Sequence, residues 1–255
     1  MAEREIKQVA NHLLQQVFLT VEDHIAVMTL HNPPVNAVSG IMQEEILLLC
    51  DYIDHDDSIW VCVLHSDIKT FCVGVDINRF YKSIQERDVT NRQELYYDGA
   101  QALYDLRVPL ICAVHGHCLG GGLCYPAGAD ITIAVRDTQF GAPEAKLGVV
   151  GGCGHLARIL PPQIQRDMSY CGTFITAEEL YEKYGGVTQV VDQLEQLMPT
   201  AMEKARELCR RGPLVLHPFE GSLSFETVVA STQCNMDNIS SSVRPLKKGL
   251  FLKMG

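Results

Sequence analysis

The chain has 255 residues, 47% hydrophobic and 20% charged, which supports one large packed domain with at most a small appendage and excludes a disordered chain. A formal net charge of −10 argues against nucleic acid as a main partner, and no apolar run approaches the length of a membrane span. The 10 cysteines stand singly, among them Cys62, Cys112, Cys171 and Cys209, with no C-x-x-C pair; this predicts reduced thiols in a reducing compartment and neither a disulfide frame nor a zinc site.

Residues 1–16 mix Glu, Arg, Lys and Gln with isolated apolar positions and match neither a secretory nor a transit peptide. Val17–Glu22 and Ile25–Leu30 flank Asp23 and His24 and predict a hairpin at a sheet edge, stopped by Pro33 and Pro34. Met42, Ile46, Leu49, Cys50 and Ile53 share one helical face behind Ser39, a suitable N-cap. Residues 60–64 predict a buried strand and residues 82–91 a polar loop. Residues 92–106 are expected as helix, leading to the wholly apolar run Leu110–Val114, a strand covered on both faces. Ile131–Val135 is a further strand, and the alternation predicts an α/β layer with mostly parallel pairing.

Beyond Gly154, Thr176 with Glu179 and Asp192 with Glu195 fit capping boxes. The second opens a helix with Leu197, Ala201, Ala205 and Leu208 on one side, ended by Gly212 and Pro213. Helix is expected again over 219–229, and the chain then finishes basic. Lys253-Met254-Gly255 is not a peroxisomal address, so a cytoplasmic location is expected.

The stretch His115-Gly116-His117-Cys118-Leu119-Gly120-Gly121-Gly122-Leu123-Cys124 follows the buried strand and switches to helix. Glycines let a ligand approach the backbone, and the first N–H groups of a helix have no partner inside it and sit at its positive end. Cys118 stands two residues after Gly116, so a dinucleotide fingerprint fails, and no phosphate-binding GKS or GKT follows. Two readings remain: backbone donors for a small oxyanion such as a thioester enolate, or a glycine turn that packs helix on strand.

Four segments line up in order: Pro34-Val35-Asn36-Ala37, Phe71-Cys72-Val73-Gly74-Val75-Asp76-Ile77, Gly120-Gly121-Gly122, and Phe140-Gly141-Ala142-Pro143-Glu144-Ala145-Lys146-Leu147-Gly148. Through them the chain, from about residue 17 to about residue 191, resembles the crotonase superfamily, the enoyl-CoA hydratase/isomerase family. The resemblance implies an α/β fold, with a crotonase-like ββα spiral core over 1–190 and a C-terminal helical trimerisation region over 191–255. It implies a homotrimer or a dimer of trimers. The ligand it implies is an acyl-CoA or acyl-carrier-protein thioester, with coenzyme A as part of the substrate and no separate cofactor or metal. The backbone N–H groups of Val75 and Gly121 take the places of the family's oxyanion hole. Val35, Asn36 and Ala37 would line the CoA path. Val73, Val75, Asp76, Ile77, Asn78, Gly120, Gly121, Cys124, Pro143, Leu147 and Gly152 would meet the substrate. Arg244, Lys247, Lys248 and Lys253 are expected either at the CoA phosphates or as a solvated tail.

The family's hydratases carry two glutamates that share acid and base work on water and the α-carbon. Glu144 matches the second; Cys124 stands at the first, followed by Tyr125 and Pro126. A thiol cannot replace a carboxylate that aligns water through two acceptor oxygens, and Pro126 predicts a short, distorted or late-starting helix. One glutamate beside an oxyanion hole is enough to move a double bond, so an enoyl-CoA isomerase with Glu144 as acid/base is expected. A hydratase, dehydratase or decarboxylase acting on a thioester is the alternative, as is a non-catalytic module of the same fold. Glu144 has a second reading as a solvated pair with Lys146. Cys124 reads either as a buried packing thiol or as a nucleophile served by His115 or His117.

Overall fold

A computed structural model describes residues 3–76, 93–147 and 153–212. Contacts divide the chain into two compact units, Met1–Leu216 and His217–Gly255, and the second lies outside the described residues, as do the expected helix over 219–229 and the basic Arg244, Lys247, Lys248 and Lys253.

Strand β4 (Val17–Glu22) buries Val17, Leu19 and Val21 on one face, the period-2 pattern of a half-covered strand. It turns into β5 (Ile25–Leu30) through Asp23 and His24, both left-handed at φ 46° and 70°, the backbone that a two-residue hairpin of the twist-matching type requires. The hairpin is not the sheet edge: β1 (Arg4–Ile6) pairs outside β4. Strands β6 (Val61–Ser66), β7 (Leu110–Val114), β9 (Ile131–Val135) and β12 (Gln189–Val191) complete a seven-stranded sheet of order β1-β4-β5-β6-β7-β9-β12, parallel from β5 onward. β7 is buried at every position, as its uninterrupted apolar sequence requires.

Helices cover both faces. Helix Gly40–His55, N-capped by Ser39, turns Met42, Ile46, Leu49 and Ile53 into a core shared with Leu19, Met28, Leu64 and Cys112. Helix Leu194–Cys209 buries Leu197, Ala201 and Ala205 against Ile25, Val63, Ile111 and Ile133 on the other face. The sequence grouped this helix with the C-terminal region over 191–255, whereas it belongs to the first unit because its apolar stripe is what covers the sheet. Its capping box joins Gln193 and Gln196, one residue later than expected, while the Asp192 carboxylate takes the Arg136 guanidinium at 2.7 Å.

The site is set by what leaves the carboxyl ends of the parallel strands. From β5 the chain runs through 31–38 into helix Gly40–His55, and from β6 through 67–76. From β7 it runs through β8 (His117–Leu119) into the glycines, and from β9 through β10 (Gln139–Gly141) into the turn Pro143–Leu147. These segments stack side by side: Val38 bridges Val75, Cys72 bridges Cys118, and β8 pairs in parallel with β10, which also pairs with β11 (Phe174–Thr176). Strand, second-layer segment and helix recur turn after turn, which is the ββα spiral the resemblance implied. Among the described residues no helix is long and apolar enough to cross a membrane.

The N-terminal hairpin β2 (Gln8–Val9) and β3 (His12–Leu13) is tied down by Glu45, a wholly buried carboxylate that the periodic pattern did not single out. Its oxygens accept the N–H groups of Gln15 (2.7 Å), Gln16 (2.8 Å) and Val17 (2.8 Å), and His12 Nε2 lies 3.0 Å away.

Candidate active site

Gly74 and Val75 lie on the segment leaving β6, and the glycines lie just beyond β8. Gly74 has φ +87°, and a Cβ there would sit 2.8 Å from both the Gly121 nitrogen and the Leu119 carbonyl oxygen, so only glycine lets the two segments close up. The Val38–Val75 bridge uses the Gly74 carbonyl and the Asp76 N–H, which leaves the Val75 N–H outside the ladder. A Cβ added to Gly121 would stand 3.7 Å from the Val75 nitrogen, so the two expected donors lie close together.

The glycines do three different jobs. A Cβ on Gly122 would strike the Cys72 carbonyl oxygen at 2.7 Å, so Gly122 is required for packing. One on Gly120 would meet the Glu144 carboxylate at 3.0 Å. One on Gly121 would meet the Val75 Cγ2 methyl at 3.3 Å and no backbone closer than 3.7 Å, so the protein constrains this position least of the three. Residues Gly120–Leu123 form a tight 3-10 turn, and the α-helix is short and late, Cys124–Gly128, as Pro126 led one to expect.

Glu144 stands in the first turn of Pro143–Leu147, half-buried. Burial pushes its carboxyl above the ordinary range, its own backbone N–H working weakly the other way. Its Oε2 is buried and has no hydrogen-bond partner among the described residues. The surface pair with Lys146 does not form; Lys146 packs along Gly172, with Nζ 6.0 Å from the Phe174 ring centre. A buried, uncompensated oxygen beside a glycine run is where an incoming group would be met.

Cys124 is 3% exposed. It lies close enough to Cys72 and Cys118 to disfavour their ionisation, a smaller effect than their burial; Cys72 is pushed up to about 12. Of the two histidines offered as its base, His115 has Nε2 2.8 Å from the Ile68 carbonyl, and His117 is exposed. Its burial favours the packing reading of Cys124 over the nucleophile. Tyr125 is buried too, its hydroxyl accepting from Gln43 Nε2 (2.8 Å), whose Oε1 accepts the Gly99 N–H. Among the described residues Cys50, Cys62, Cys72, Cys112, Cys118 and Cys124 are buried free thiols, and Cys171 is exposed.

Among the CoA-path residues, Val35 is exposed and Ala37 half-buried, but Asn36 is 0% exposed, with its side chain committed inside the protein. Val73, Val75, Asp76, Gly120, Gly121 and Pro143 are half-buried. Leu147 closes the Glu144 turn, and Ile77, Asn78 and Gly152 lie outside the described residues. Sequence reasoning passed over Ser66 and Thr70, whose hydroxyls sit behind the site with no motif to mark them.

With this geometry in hand, likeness to known proteins is specific. The family model for enoyl-CoA hydratase/isomerase matches residues 20–239. A carnitinyl-CoA dehydratase of Salmonella arizonae is 42% identical over 208 residues, 78% of this chain and 76% of that protein. A mevalonyl-coenzyme A hydratase of Aspergillus fumigatus is 33% identical over 196 residues, covering 74% of this chain and 71% of its own. The solved structure of an enoyl-CoA hydratase/isomerase from Mycobacterium paratuberculosis superposes with a TM-score of 0.71 at 25% identity over 80% of each chain. The fold is that of the crotonases. The chain belongs to the enoyl-CoA hydratase/isomerase family.

Proposed function

We propose that the protein moves a carbon–carbon double bond in an acyl-CoA thioester, with Glu144 carrying the proton. The carboxylate takes a proton from carbon 2 of a 3-enoyl thioester, and the electron pair of that bond passes into a dienolate whose charge rests on the thioester oxygen. The Val75 and Gly121 N–H groups hold that oxygen, donors that act most strongly when the charge has developed. The same carboxyl returns the proton at carbon 4, leaving a 2-enoyl thioester. Nothing is oxidised, and no group beyond CoA is needed.

The observation that carries this reading is a desolvated carboxylate: Glu144 Oε2, unpartnered among the described residues, against Gly120 and next to the Gly121 donor. Residues 120–128 bring no second carboxylate to the site. A second reading, loss of water from a 3-hydroxyacyl-CoA through the same enolate, is favoured by the dehydratase and hydratase names of the relatives. It requires an acid for the departing hydroxide, which that segment lacks.

The deciding experiment offers 3-enoyl-, 2-enoyl- and 3-hydroxyacyl-CoA esters and follows the ultraviolet absorbance of the conjugated thioester. Conversion of the 3-enoyl ester with little action on the others supports the proposal. Rapid hydration of the 2-enoyl ester refutes it.

A further inference from the structure

Three segments, 35–38, 71–76 and 117–119, lie side by side behind the site. On one side of the middle segment Val73 N–H donates to Val35 O (3.3 Å) and Gly74 O accepts from Val38 N–H (2.8 Å). On the other, Cys72 N–H donates to His117 O (3.1 Å) and Cys72 O accepts from Leu119 N–H (2.9 Å). Val75 rides on the middle segment and Gly121 two residues past the third, so the aim of the two N–H groups depends on how these segments are locked.

The lock is a buried web of side chains. Asn36 Nδ2 donates to Ser66 Oγ (2.8 Å) and to the Phe71 carbonyl (2.9 Å), and its Oδ1 accepts the Asn32 N–H (2.6 Å). Ser66 Oγ donates to Thr70 O (2.8 Å). Thr70 Oγ1 donates to His117 O (3.0 Å) and accepts the His117 N–H (2.9 Å), which ties the middle segment to the third. Asn36, Ser66 and Thr70 are 0%, 5% and 6% exposed, so none of them has a face to offer a ligand.

A second observation points the same way. Asn36 adopts φ +50°, a left-handed backbone that glycine takes with less strain. Asparagine tolerates that region, and here its amide is what glycine could not supply. Each bond broken by a shift of the segments strands a buried polar group, at about 1–3 kcal/mol, so the web has one low-energy register.

We propose that Asn36, with Ser66 and Thr70, is a positioning residue that sets the separation and aim of the Val75 and Gly121 N–H groups. The inference rests on reading those groups as oxyanion donors. Displacement of a catalytic group by about 1 Å costs about a hundredfold in rate, so a web that fixes register is felt in turnover before it is felt in binding.

The test uses Asn36→Gly, which keeps the backbone and removes the amide, and Thr70→Val, which removes only the hydroxyl. A saturated acyl-CoA carrying carbon-13 at the thioester carbonyl is bound to each, and the shift of its infrared stretch reports polarisation by the donors. Both variants are expected to bind with little change, to lose at least half of the shift, and to fall about 10- to 100-fold in kcat. Thr70→Ser should restore both. Folded variants with the native shift and kcat would overturn the proposal, and so would loss of the folded state in both, which assigns the web to stability alone. Glu144→Gln should keep the shift while losing turnover. A native protein that shifts the carbonyl but moves no double bond leaves the positioning intact and fails the proposed reaction; one with no shift overturns the positioning.

Discussion

Glu144 and Gly120 are fitted to one another: a Cβ on residue 120 would lie 3.0 Å from Glu144 Oε2 and 3.3 Å from its carboxyl carbon. Gly120 also holds φ +53°, so the close approach and the backbone both exclude a side chain. The carboxylate therefore shares a wall with the glycine run, one residue from the Gly121 N–H. Gly120→Ala should push the carboxylate off its position and cost about 1–2 kcal/mol in backbone strain. Turnover should fall about a hundredfold while the thermal transition drops only modestly, as steady-state kinetics and calorimetry would show together.

Gly121 and Gly122 separate a ligand constraint from a packing constraint. Gly121→Ala meets a side-chain methyl, Val75 Cγ2, at 3.3 Å and the Val75 nitrogen at 3.7 Å, so a small shift of that methyl should admit it with little loss of stability, while turnover falls by about 10²–10³. Gly122→Ala meets Cys72 O at 2.7 Å and should lose about 1–3 kcal/mol of stability in urea unfolding. Equal stability losses in the two would contradict this division.

Burial raises the Glu144 carboxyl, and under the proposed reaction it must be ionised to act as base. The rate kcat/KM should therefore rise with pH through a limb lying above the ordinary glutamate value of about 4.3. The stability sign is opposite to that of a salt-bridged carboxylate. The folded state binds this proton more tightly than the unfolded chain does, so Glu144 destabilises the fold increasingly as pH climbs from the unfolded pKa through the folded one. Glu144→Gln should be inactive yet melt slightly above the native protein at neutral pH, with the difference closing on acidification. A variant that melts lower at neutral pH would contradict the desolvated carboxylate.

Glu45 lies outside the site and should affect stability alone. Glu45→Gln exchanges a carboxylate oxygen for a donor in front of the N–H groups of Gln15, Gln16 and Val17. The loss should be about 2–3 kcal/mol in urea unfolding, with the pH profile of turnover unchanged.

Cys124→Ala tests the thiol. A packing cysteine predicts a loss of about 1 kcal/mol and near-native turnover; abolished turnover in a folded variant would restore the nucleophile reading.

Much of this architecture was legible in the chain because it is written in periodicity. The alternation of Val17, Leu19 and Val21, the unbroken run Leu110–Val114 and the stripe of helix Gly40–His55 each follow from the side-chain direction of one element. The closeness of Gly74 and Gly121 was legible only through family resemblance, since no local pattern joins segments 47 residues apart. What stayed hidden were buried polar groups. Glu45, Ser66 and Thr70 read as surface residues in any local window, and only the stacking of successive turns gives them partners. Asn36 was placed on the CoA path by the resemblance, and no local pattern shows its amide facing Phe71 and Ser66.

The most direct measurement follows the proton itself. A 3-enoyl-CoA carrying deuterium at carbon 2 is converted by the protein in ordinary water, and the 2-enoyl product is examined by mass spectrometry and NMR. One desolvated carboxylate serving both carbons predicts that part of the deuterium reappears at carbon 4, and that Glu144→Gln forms no product. A product with only solvent hydrogen at carbon 4, a hydroxyl at carbon 3, or unchanged conversion by Glu144→Gln would contradict it.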